Sequence, residues 1–77
     1  MNDEEKFRAE VRNIVREFKK KLDEHKDLFS KEPLYIIILT IPYAIETNLV
    51  SEKYNLSQEA KNKIIKEELD DALGLKE

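Results

Sequence analysis

The sequence has no cysteine and no tryptophan, one glycine, one histidine and two prolines among 77 residues. Each scarcity removes a possibility. Without cysteine there is neither a disulfide framework nor a thiolate metal cluster. A chain near the lower size limit for a self-sufficient core must then rest on apolar packing, within one chain or between chains. Gly74 alone cannot form a phosphate-cradling glycine-rich loop. His25 alone cannot supply the several imidazoles of a zinc site. It sits on the apolar side of a helical pattern, and Ser30, Ser51 and Ser57 fall where elements begin or end, so no nucleophile–base pair is expected. The expectation is a non-enzyme without cofactor or metal. The most apolar run, Leu34 to Ile45, is about twelve residues, well short of the ~20 that span a bilayer. The N-terminal residues Met1 to Lys6 are charged and lack the apolar stretch of a signal peptide. A cytoplasmic protein of one domain, residues 1–77, with no membrane partner, is expected.

Charge is what the sequence has in abundance. Charged residues make up 40% of the chain, with a net charge of −3, whereas a dedicated nucleic-acid binder is usually basic. The richness in Lys, Glu and Ile, with a single Gln, resembles thermophile composition. The densest acidic cluster, Glu67, Glu68, Asp70 and Asp71, alternates with lysines near a helix end and is expected to face water. Glu10, Glu17 and Glu24, seven apart, form a polar edge of the kind that steers helix pairing.

With so little turn material, the chain is expected to fold into a few long elements. Phe7, Val11, Ile14, Phe18, Leu22, His25 and Phe29 recur at spacings of three and four, with Val15 beside them, predicting a helix over 3–29. Asp3, Glu4 and Glu5 complement its dipole. Ser30 and Pro33 mark a break and a restart. The β-branched run Tyr35 to Ile41 suits a strand, but no second strand-like run exists to pair with it, and a helix over 33–54 uses the residues better. That helix carries two apolar stripes, Leu34, Ile38, Ile41, Ile45 and Leu49 on one side and Ile36, Leu39, Tyr43, Val50 and Tyr54 on the other. Pro42 should bend it by removing the donor to the Ile38 carbonyl. Ser57 predicts the cap of a third helix over 57–73, Asn55 a left-handed turn before it, and Gly74 its end.

The stretch from Thr47 to Ile65 has a further pattern. Val50 and Tyr54 are placed to face inward, Ser51 is a small residue at a helix crossing, Asn55 stands in the turn, Leu56 plugs the corner and Ser57 opens the next helix. Ala60, Ile64 and Ile65 continue the inward set. This resembles the helix-turn-helix unit of DNA-binding regulators. The resemblance implies that Gln58, Glu59, Asn62 and Lys63 point at base edges. The departures are Lys61, where that family buries an aliphatic residue, and the acids Glu59, Glu67 and Glu68 near the phosphates. The resemblance covers nineteen residues and has no following hairpin to serve as a wing. A ribbon-helix-helix reading of the same region fits less well, because a strand at 34–41 would offer mainly Ile and Leu to the bases. On the first helix Arg8, Arg12, Arg16 and Lys19 form a basic row, which fits either a phosphate backbone or pairing with the acidic third helix.

Together these observations predict an all-α, antiparallel three-helix bundle with a bent, apolar central helix covered on one stripe by helix 1 and on the other by helix 3 or a second copy. A homodimer is expected, with Ile36, Leu39, Tyr43 and Val50 as contacts. The expected function is a non-catalytic interaction module or small regulator. The alternative is a DNA-binding transcriptional regulator using Gln58, Asn62 and Lys63 with the basic row.

Overall fold

The computed structural model of the chain describes residues 2–75. Of these, 85% are helical and none is in a strand. The helices are α1 (Asp3–Glu24), α2 (Lys26–Lys31), α3 (Tyr35–Lys53) and α4 (Gln58–Leu73).

Local chemistry sets most of the boundaries. The Asn2 side chain accepts a hydrogen bond from the Glu5 backbone N–H at 2.8 Å and caps α1, with Asp3, Glu4 and Glu5 in its first turn. The helix expected to reach Phe29 stops at Glu24. His25 leaves helical geometry (φ −114°, ψ 23°), and the chain restarts as α2. The break lets two rings that lie on one predicted stripe converge on one partner, with His25 and Phe29 at 6.0 and 6.4 Å from the Tyr35 ring. Ser30 lies inside α2 and caps nothing; its hydroxyl donates to the Lys26 carbonyl at 3.4 Å.

The β-branched run from Tyr35 is helical. Pro42 lies within α3 without ending it. Two threonines turn their hydroxyls onto carbonyls four residues back, Thr40 to Ile36 and Thr47 to Tyr43, each at 2.7 Å. Ser57 caps α4 by accepting from the Ala60 N–H at 3.1 Å. Gly74, at φ 71°, ends it, and the Leu75 N–H closes back on the Asp70 carbonyl at 2.8 Å. Gly74 is the only positive-φ residue among those described, so Asn55 does not adopt the expected left-handed turn; Tyr54 and Ser57, on either side of it and Leu56, are extended.

The central element is α1. It runs antiparallel to α3, as two ring pairs record: Phe7 lies edge-on to Tyr54 at 5.8 Å, and Phe18 stacks on Tyr43 at 4.7 Å. It runs in the same direction as α4, since Arg8 and then Arg12 meet Glu67 and Glu68. Phe7, Val11 and Val15 are fully buried, and Ile64 joins them from α4. Direct contact between α3 and α4 is slight. The expectation that helix 3 covers the second stripe of the apolar helix therefore differs from the structure, in which α4 leans on α1 and leaves that stripe of α3 open. The result is a flat molecule, 43 × 27 × 19 Å, with a radius of gyration of 13.5 Å. A compact chain of this length would have about 11.5 Å.

Candidate interaction surface

One face of α3 is packed and the other is not. At 100° per residue Leu39, Tyr43, Val50 and Tyr54 share the inner face. Tyr43, Val50 and Tyr54 pack on the buried core of α1 and α4. Half a turn away Leu34, Ile38, Ile41, Ile45 and Leu49 are 75, 56, 53, 55 and 59% exposed, and Ile37 beside them is 55% exposed. The four residues predicted as dimer contacts thus lie on the side facing α1. Leu39 lines a cavity of about 70 Å³ with Ile14, Phe18 and Tyr43, and Ile36, at the end of that face, is 43% exposed. The purely aliphatic stripe is the open one. A signal for this choice exists in the sequence. Phe7 and Phe18 are eleven apart, as are Tyr43 and Tyr54. An equal interval of about three turns on two helices matches ring to ring when they run antiparallel, which assigns the tyrosine stripe to the interior.

The acidic cluster expected to face water does not do so as a whole. Glu68 is buried, 5% exposed, and is held by two arginines: Arg12 Nε at 2.7 Å and Arg8 Nη1 at 2.9 Å. The hydrogen bond from Arg12 lowers the Glu68 pKa against the opposing effect of burial, and Arg8 adds to the lowering. Arg8 also reaches Glu67 at 2.8 Å, which lowers that carboxylate as well. Half of the basic row is thus spent inside the molecule. Lys19 pairs with Asp23 at 2.7 Å on its own helix. Arg16 is exposed and lines an open groove of about 620 Å³ between α1 and α4, together with Arg12, Lys19 and Lys20 and the acids Asp23, Glu24, Glu68 and Asp71.

The segment resembling a helix-turn-helix unit keeps its two helices and its capped turn. Lys61, the departure from the family pattern, has an internal role: its ammonium donates to the Ser51 carbonyl at 2.5 Å and closes the end of α3. Of the residues implied as base readers, Gln58 Nε2 donates to Asn62 Oδ1 at 2.8 Å, and Lys63 is exposed. Between Arg8 and Arg12 on α1, Glu10 accepts from Lys53 at 2.6 Å and from the Tyr54 hydroxyl. These bonds, that of Lys53 first, hold its pKa low.

Among the described residues there is no group of three or more His, Cys, Asp or Glu placed to hold a metal, and no helix is long and apolar enough to cross a membrane. No family model, no curated protein and no solved structure matches the chain.

Proposed function

We propose that the chain is a non-catalytic interaction module that works as a homodimer, with the exposed stripe of α3, bent at Pro42, as its contact. The observation that carries this reading is surface area. The chain exposes 5701 Å², against about 4,900 Å² for a folded monomer of its mass. The excess, about 800 Å², equals what each partner buries in a stable interface. The six aliphatic residues of the α3 face that are more than half exposed together present roughly 600 Å², at the upper end of what a soluble monomer leaves bare. A two-fold pairing of α3 on α3 removes that surface from water on both copies at once.

Sedimentation equilibrium tests the reading. The chain should be dimeric at tens of micromolar. Ile41→Asp should give a monomer with unchanged helicity, because Ile41 touches solvent and not the core. Val50→Asp should unfold the chain instead. A wild-type monomer at high micromolar concentration overturns the proposal.

The second reading, a DNA-binding regulator through 47–65, draws on the retained helix–turn–helix order and on exposed Lys63 and Arg16. It has less support, because Arg8, Arg12 and Lys19 are each engaged with carboxylates.

A further inference from the structure

We infer that the two copies meet with their α3 helices antiparallel, about a two-fold axis between Ile41 and Pro42. This inference rests on the homodimer reading and specifies its geometry. With Pro42, which is exposed at its flank and also lines the inner cavity, the exposed stripe is close to a palindrome. Leu34, Ile38, Ile41, Pro42, Ile45 and Leu49 fall at intervals of four, three, one, three and four. An isologous contact requires that residue i meet j and j meet i. Centring the stripe on itself sets Leu34 against Leu49 of the second copy, Ile38 against Ile45 and Ile41 against Pro42. Each of these six then has an aliphatic or proline opposite, while Ile37 beside them falls level with Glu46 of the second copy.

Charge selects the same arrangement. No charged residue lies between Leu34 and Ile45. Lys31 precedes the stripe, and Glu52 follows it at the angular position of Leu34; both are exposed. An antiparallel pairing brings the Glu52 end of one stripe to the Lys31 end of the other. A parallel pairing instead sets Glu46 on Glu46 and Glu52 on Glu52, like charge on like charge. Antiparallel α3 helices also oppose their dipoles.

The absence of cysteine makes the test direct. Single variants Leu34→Cys, Ile41→Cys and Leu49→Cys are oxidised at a concentration where sedimentation shows a dimer. Ile41→Cys, close to the axis, should cross-link to itself. Leu34→Cys and Leu49→Cys should each remain uncross-linked alone, since identical residues there lie about 22 Å apart along the axis. Mixed, the two should give the cross-linked heterodimer. Self-linking of Leu34→Cys, or no product from the mixture, overturns the geometry while leaving the homodimer standing. A monomer in sedimentation overturns the homodimer itself. As an independent readout, Glu52→Lys should weaken dimerisation several-fold at low salt, and Lys31→Glu in the same chain should restore it. An unchanged dimer in Glu52→Lys counts against the antiparallel pairing.

Discussion

Glu68 is the residue whose surroundings depart furthest from what its type suggests. A carboxylate at 5% exposure persists because two guanidinium groups from α1 satisfy it. Glu68→Ala should destabilise the fold by about 1–2 kcal/mol in urea denaturation, below the usual cost of breaking a buried pair because both arginines reach solvent. The pH dependence has a definite sign. The folded-state pKa of Glu68 lies below the ordinary 4.5, so its contribution is complete above that value and is lost as pH falls through the folded pKa. Glu10 and Glu67 shift the same way. Stability should therefore be level near neutrality and fall in the acid range, and Glu68→Gln should make the fall shallower. Tyr43 is the opposite case. Its hydroxyl is buried without a hydrogen-bond partner among the described residues, and burial raises its pKa. The Thr47 hydroxyl lies near enough to moderate that rise but donates its own proton to the Tyr43 carbonyl. Tyr43→Phe keeps the stack on Phe18 and removes the orphan, so its urea midpoint should match or exceed the wild type. A drop of more than about 1 kcal/mol would show that the hydroxyl is bonded through water in the adjoining cavity.

At the scale of elements, capping chemistry was legible at the two ends of α4 but not at Ser30 or Asn55, and tertiary choices were not legible. Ser57 and Gly74 mark the ends of α4 by rules that act within one turn, and the structure shows both caps. Ser57→Ala should lower the thermal midpoint by the equivalent of about 1 kcal/mol. The break at His25 was not legible, because Leu22, His25 and Phe29 keep helical spacing through it. The break coincides with the approach of His25 and Phe29 to Tyr35, a contact across elements that spacing does not reveal. Lys61 was read as a departure from a buried pattern and Glu68 as part of a water-facing acidic cluster. Their partners, Arg8, Arg12 and the Ser51 carbonyl, lie 10 to 60 residues away, beyond any periodicity. The apolar helix was read with two stripes, and both exist. Which of them faces the chain's own core depended on how α4 leans, and only the matched ring intervals hinted at it. Pro42→Ala restores a donor for the Ile38 carbonyl, so the variant should be tolerated and gain on the order of 1 kcal/mol in the monomer. Chemical denaturation at low micromolar concentration checks this.

For the whole molecule, the decisive balance is between an apolar face and a polyelectrolyte surface. A DNA-binding role needs net attraction to phosphate, and the chain opposes it at two levels. Its net charge is −3, and the row that could lie on a backbone is partly neutralised, with Arg8 and Arg12 on Glu67 and Glu68 and Lys19 on Asp23. Each phosphate contact contributes its own share to the salt dependence, so a row with three of its four cations on carboxylates has few to offer. Titration against fluorescent genomic fragments at about 50 mM salt, where that attraction is strongest, should show no binding at tens of micromolar protein. Binding that varies with sequence and relaxes at one base position on changing Gln58, Asn62 or Lys63, at a cost of about 1–3 kcal/mol each, would instead support the regulator. Binding that weakens uniformly on loss of Arg16 would indicate the basic row alone. The apolar face carries the converse expectation. If association through α3 is what stabilises the chain, its thermal midpoint should rise with protein concentration, by mass action on the folded dimer, and that rise should vanish in Ile41→Asp.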